Sequence, residues 1–147
     1  MLKSLETKYP NVRVLVIADK NPALPLKTFR FLPWRKESEI ADLREIDIGI
    51  MPLPDDSWTR GKCGFKALQY MAISIPAVVS PVGVNKEIVA HGLEGYVCST
   101  SDEWFSALED LILNPSKREA MGKKGRQKVI NSYSASANLA NFLSLFQ

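Results

Sequence analysis

The sequence predicts an α/β fold: a parallel sheet covered by helices on both faces, followed by a helical C-terminal stretch. Three observations carry this. Short apolar runs rich in β-branched residues recur at residues 12–17, 46–51 and 77–80. Helix-forming segments at residues 39–44 and 65–72 lie between them. From residue 102 onward the chain reads as helix almost throughout.

Each element has its own signal. Residues 2–9 place Leu2 and Leu5 on one side of a helix that Pro10 stops. Residues 12–17 are apolar and β-branched, which predicts a buried strand. Pro22 and Pro25 keep the next stretch irregular, and residues 28–32 form a short strand ending at Pro33. Ser38 is an N-cap candidate for the helix over residues 39–44. A strand at 47–51 leads into a polar loop over residues 52–62. The helix that follows carries Phe65, Leu68 and Ala72 at core-face spacing. Strands at 77–80 and 96–98 flank a short helix at 85–90 and a Gly-rich turn at 91–95. Ser101 or Asp102 caps a helix to Leu113, Pro115 breaks it, and helices over 116–132 and 134–147 complete the chain.

The 147 residues are enough for one domain with a real core. A net charge of +3 does not by itself indicate nucleic acid, and the basic residues between 117 and 128 read as a solvated helix face. Cys63 and Cys98 have neither metal-ligand spacing nor a CxxC partner, so a reduced, cytoplasmic protein without disulfides is expected. No run reaches the roughly 18 apolar residues of a membrane span, and the first residues have no signal-peptide core. Peripheral attachment to the inner membrane face stays compatible with this.

The chemistry concentrates between Arg60 and Ala72. A glycine-bearing loop opens a helix between two strands, at the sheet edge where ligands of parallel sheets bind. Free N–H groups and the positive helix end make an anion site, with Lys62 and Lys66 adding charge. Lys66 and Gln69 share a helix face: the lysine suits a phosphate, and the glutamine can both donate to and accept from ribose hydroxyls. Asp55 and Asp56 either hold Mg²⁺, act as acid and base, or solvate their loop. Trp34 and Trp58 either stack on a base or sugar or plug their loops onto the core. His91 reads as a turn residue, and Ser57, Ser80 and Ser99 lack a nucleophile elbow. Neither GxGxxG nor GxxxxGK[ST] occurs.

Asp47 to Leu53, Gly61 to Ala72, Ile75 to Gly83, Asn85 to Val89 and Gly92 to Val97 together resemble the Rossmann-like second domain of GT-B glycosyltransferases, within the group known as glycosyl transferases group 1. Lys8 to Val12 and Phe31 to Trp34 fit the same domain. The resemblance implies binding of a nucleoside diphosphate sugar and transfer, with retention, to a glycan or lipid-linked acceptor. It implies a site built from Lys62, Cys63, Gly64, Phe65, Lys66, Gln69, Trp34 and Asp55. No metal or other cofactor is expected, because N–H groups and Lys66 would carry the leaving diphosphate. No nucleic-acid partner is implied, and no catalytic residue is assigned.

Two departures qualify it. The family's sugar-contacting and ribose-contacting glutamates match Gly61 and Gln69 here. The acceptor-binding first domain, and the early loop with its diphosphate-binding Arg and Lys, have no counterpart in these residues. The chain therefore reads as one nucleotide-sugar-binding domain over residues 1–147, helical from 102, and inactive alone. A non-catalytic nucleotide-binding module is the alternative. A sugar-nucleotide epimerase of the same fold and a receiver-like domain are weaker ones.

Overall fold

A computed structural model describes residues 1–146. The chain alternates as expected: α1 (Leu2–Lys8), β1 (Val14–Ala18), β2 (Phe29–Pro33), α2 (Glu39–Leu43), β3 (Gly49–Met51), α3 (Ser57–Arg60), α4 (Phe65–Ala72), β4 (Ala77–Val79), α5 (Asn85–Ile88), β5 (Gly95–Val97), α6 (Ser101–Leu113) and α7 (Pro115–Lys128). A π-helical segment, Val129–Tyr133, then leads into α8 (Ala135–Ser144).

All strand pairs are parallel, but they form two sheets rather than one continuous sheet. β1 pairs with β2, and β3, β4 and β5 pair in that order. Between β1 and β3 lies a cavity of about 430 Å³, lined among others by Leu15, Ile48, Ile50, Tyr70, Leu108 and Ile112. The Tyr70 hydroxyl donates into it, to the Ile50 carbonyl at 3.4 Å. This gap also corrects the expectation of a buried first strand: every residue of β1 is only partly buried, because one of its edges has no neighbour.

The core sits on both faces of β4, and the alternation of side chains divides it. Val78 packs with Leu5, Cys98, Trp104, Ala107, Leu108, Leu111 and Met121, drawn from α1, the end of β5, α6 and α7. Ala77 and Val79 pack with Ala67, Met71, Ile88 and Val89 on the other face. Fully burying one such valine or methionine contributes about 1.5–3 kcal/mol. The fully buried residues of α4 are thus Ala67 and Met71; of the expected Phe65, Leu68 and Ala72 stripe, Leu68 packs against the same cluster while partly buried, and Phe65 is exposed.

Caps differ from the sequence expectation in instructive ways. Thr100, not Ser101 or Asp102, caps α6 through a reciprocal box with Glu103. Ser38 precedes α2, but its hydroxyl donates to Asp42 Oδ2 instead of capping the backbone. Pro115 opens α7 at its first turn, where a missing N–H costs nothing. The basic cluster on α7 is partly structural. Arg118 donates to the Leu111 carbonyl at 2.9 Å, Arg126 to that of Ala72, and Lys128 to that of Glu87 at 3.0 Å. Three cations therefore satisfy terminal carbonyls of α6, α4 and α5, where helix dipoles favour positive charge. Met121, Gly122 and Gly125 are buried on the same helix.

On α8 no residue is buried, and Leu139, Phe142, Leu143, Leu145 and Phe146 leave an exposed apolar surface around it. No helix among the described residues is long and apolar enough to cross a membrane.

Candidate functional site

The loop after β3 is more ordered than its polar sequence predicts. Asp56 caps α3 by accepting from Thr59 N at 2.8 Å, and the Thr59 hydroxyl accepts in return from Asp56 N at 3.2 Å. That hydrogen bonding holds the Asp56 carboxyl below its ordinary range. Asp55 forms a two-point pair with Arg60, Nε to Oδ1 at 2.6 Å and a terminal nitrogen to Oδ2 at 3.2 Å. The Arg60 guanidinium lowers the Asp55 pKa in consequence. Both acids are thus engaged within their own loop, and among the described residues Asp55 forms no ion pair with Lys62 or Lys66. Leu53 N donates to Ser80 Oγ at 2.9 Å and Asn85 Nδ2 to the Ser80 carbonyl at 3.0 Å, which ties this loop to the one after β4.

Gly64 turns the chain into α4. It adopts the left-handed conformation, φ +67°, and a Cβ there would lie 2.2 Å from Ile88 Cδ1. The first helical bond, Leu68 N to the Gly64 carbonyl, spans 3.3 Å. The N–H groups of Phe65, Lys66 and Ala67 precede any intrahelical acceptor and point out of the helix start. The helix start at Gly64 thus leaves three backbone donors without an intrahelical acceptor.

Four side chains converge beside it. Trp34, just past β2, donates Nε1 to Glu39 Oε1 at 3.1 Å. Lys66 Nζ meets the same oxygen at 3.1 Å. The Gln69 amide lies near enough to help lower the Glu39 pKa, after Trp34 and ahead of Lys66. Gln69 Oε1 is buried and has no hydrogen-bond partner. The structure therefore brings Trp34, Lys66 and Gln69 together around Glu39, a residue that the sequence reading used only as the start of a helix. Nothing at its position signalled this, since 27 residues separate it from Lys66.

The remaining candidates are peripheral. Lys62 and Cys63 are exposed on the loop, and Phe65 and Trp58 are exposed beside it. Gly61 ends α3 at φ −78°, and a Cβ there would have only the Trp58 carbonyl within reach, at 3.5 Å. The fold thus has room for an acid that the sequence does not supply. His91 lies in its turn, with Nδ1 against the Val97 backbone at 3.1–3.2 Å. No group of three or more metal-ligating side chains occurs among the described residues.

Comparison with known proteins agrees with this architecture. The "Spore coat protein SA" of Bacillus subtilis (strain 168) is 26% identical over 80 residues, which span 52% of this chain and 21% of that protein. A sucrose-phosphate synthase from Thermosynechococcus elongatus superposes with a TM-score of 0.80 at 17% identity, over 99% of this chain and 40% of that one. The C-terminal domain of a glycosyl transferase group 1 family protein from Francisella tularensis gives 0.69 at 20% identity, over 89% of this chain and 74% of that domain. The chain thus spans less than half the length of the first two, and the two solved structures share its GT-B type of fold. Residues 3–128 match the family described as "Glycosyl transferases group 1", and the chain belongs to that family.

Proposed function

We propose that this chain is the donor-binding part of a retaining glycosyltransferase that uses a nucleoside diphosphate sugar and a glycan or lipid-linked acceptor. The observation that carries the reading is the convergence of an open helix start at Gly64 with Lys66, Gln69 and Trp34 at one sheet edge. Family membership sets the reaction class, and the site supplies its parts.

The diphosphate lies against the N–H groups of Phe65, Lys66 and Ala67, with the Lys66 ammonium beside it and Lys62 nearby. Negative charge grows on this leaving group as the glycosidic bond breaks. Donors already fixed there favour the transition state over the bound donor. Lysine and helix dipole carry that charge without a divalent metal. The base rests near Trp34, and the ribose faces Gln69. The match to 40% of one relative and 21% of another supports an acceptor domain outside these residues. The chain alone then binds nucleotide but transfers nothing.

Titration with UDP and with GDP, followed by backbone amide shifts, tests the binding. Shifts centred on residues 64–69 are expected, with a dissociation constant on the order of 1 mM or tighter. No shift with either nucleotide refutes the reading, and sugar transfer by the chain alone refutes its inactivity. A second reading, a nucleotide-binding module without catalysis, is favoured by the vacant acid position at Gly61. Transfer assays on the whole protein separate the two.

A further inference from the structure

The chain has Gln69 where its relatives' ribose-contacting acid is expected, and the fold brings a carboxylate to the same place from a different element. Glu39 opens α2, while Lys66 and Gln69 stand on α4. Glu39 Oε1 is fastened from two sides, by Trp34 Nε1 and Lys66 Nζ, each at 3.1 Å. Oε2 receives no hydrogen bond among the described residues. The Glu39 side chain keeps 21% of its surface exposed, so this second oxygen is not sealed in.

We propose that Glu39 is a ribose-binding residue, its free Oε2 accepting a hydrogen bond from a hydroxyl of the nucleotide's ribose while the Gln69 amide serves the other. This rests on the nucleotide reading above and deepens it. An ionised carboxylate only accepts hydrogen bonds and repels a diphosphate, so its complement is a donor group such as a sugar hydroxyl. Its carboxyl is held low, first by the Trp34 indole, which keeps it ionised at neutral pH. The unpartnered, buried Gln69 Oε1 is the second observation. Gln69 Oε1 is sealed from solvent as the side chain stands, so the amide must turn outward for the two acceptors to meet the two donors of a vicinal diol. The competing role is a plain ion pair. In that role Glu39 merely restrains Lys66 and competes with the diphosphate for it.

The two roles predict opposite signs for one substitution. Binding of UDP or GDP, whichever the wild-type chain prefers, is compared with binding of its 2′,3′-dideoxy analogue, in wild type and in Glu39→Gln. Unchanged far-UV circular dichroism and an unchanged denaturation midpoint establish that the variant is folded. The wild type is expected to bind the ribonucleotide about tenfold or more tightly than the dideoxy form, the scale of a hydrogen bond to a charged group. Glu39→Gln is expected to erase most of that preference while leaving the dideoxy affinity equal or higher, as Lys66 is released. Three results overturn the proposal: a wild type indifferent to the diol, a variant that loses both ligands equally, or a variant that binds the ribonucleotide more tightly. Each leaves the nucleotide reading standing. Failure of the wild type to bind any nucleotide overturns both.

Discussion

Replacing Gly122 with alanine separates two descriptions of α7. If the helix were the solvated basic segment its sequence predicts, an interior Gly→Ala change would stabilise it by about 1 kcal/mol. In the fold, a Cβ at 122 would lie 1.9 Å from the Ser74 carbonyl oxygen and 2.7 Å from its carbon. Reaching the closest ordinary C···O contact, about 3.3 Å, requires a retreat of roughly 1.4 Å. The neighbour is backbone between α4 and β4, so it cannot rotate away as a side chain would. Overpacking of that kind costs typically 1–3 kcal/mol, and this case belongs at the upper end. After the helix-propensity gain, a net loss of about 2 kcal/mol remains. For a domain of this size that lowers Tm by about 4–8 °C. Gly125→Ala is the internal control. Its nearest neighbour would be Met71 Cγ at 3.0 Å, the middle of a flexible side chain, and a change within about 0.5 kcal/mol is expected. Urea denaturation followed by circular dichroism measures both, with the slope checked for constancy. A Gly122→Ala protein more stable than wild type would refute the close packing of α7 on the Ser74 turn.

Further outcomes follow from the same geometry. Cys63 is exposed, whereas burial pushes the Cys98 thiol up to about 11, so a thiol reagent at pH 8 should titrate one group in the native chain and two after denaturation; two fast groups would contradict the buried site. Glu103 is held below 4.5, chiefly by the Ser99 N–H, so its cap contributes above that pH and is lost as pH falls through the lower folded value; Glu103→Gln should flatten the acid limb of a stability–pH curve, and an unchanged limb would count against the cap. Gly64→Ala should lower stability by about 2–4 kcal/mol, a left-handed alanine plus the clash with the buried Ile88 side chain, and shift the amides of α4's first turn. Gly61→Glu should change the unfolding free energy by no more than about 0.5 kcal/mol, since the position is open; a larger loss would show that the loop excludes an acid there.

The element order was legible because parallel strands and amphipathic helices write themselves into adjacent residues. Val78 and its neighbours, buried on both faces, read correctly as a strand. The helix start after Gly64 also read correctly, since glycine and helix formers are local signals. What failed depended on long-range packing. The buried stripe of α4 turned from Phe65 toward Ala67 and Met71, with Leu68 at its margin, because the sheet, not the helix sequence, decides which side is covered. The short helix α3 was hidden in a polar loop, where Asp56 and Thr59 form a reciprocal cap that their sequence did not announce. Arg118, Arg126 and Lys128 read as surface charge because their carbonyl acceptors lie on other elements. Glu39 was missed for the same reason.

The gap between β1 and β3 has a consequence for how the molecule opens. Val14 and Trp34 donate across β1–β2, and Gly49 and Ser80 donate across β3–β4. Alternation then turns the amides of Leu15, Ile17 and Ile50 toward the gap, where no strand receives them. No ladder bond couples the two sheets, so the unit of β1 and β2 is fastened by side chains alone, through α1 on one side and through the Trp34–Glu39–Lys66 cluster and the Arg30–Glu45 pair on the other. Leu5 is buried against α6, and Lys8 and Tyr9 both bind Glu109 at 2.7 Å. The unit can therefore detach as a cooperative block at a lower free energy than the core around β4. Hydrogen exchange would register two tiers of protection within one chain, divided along this seam.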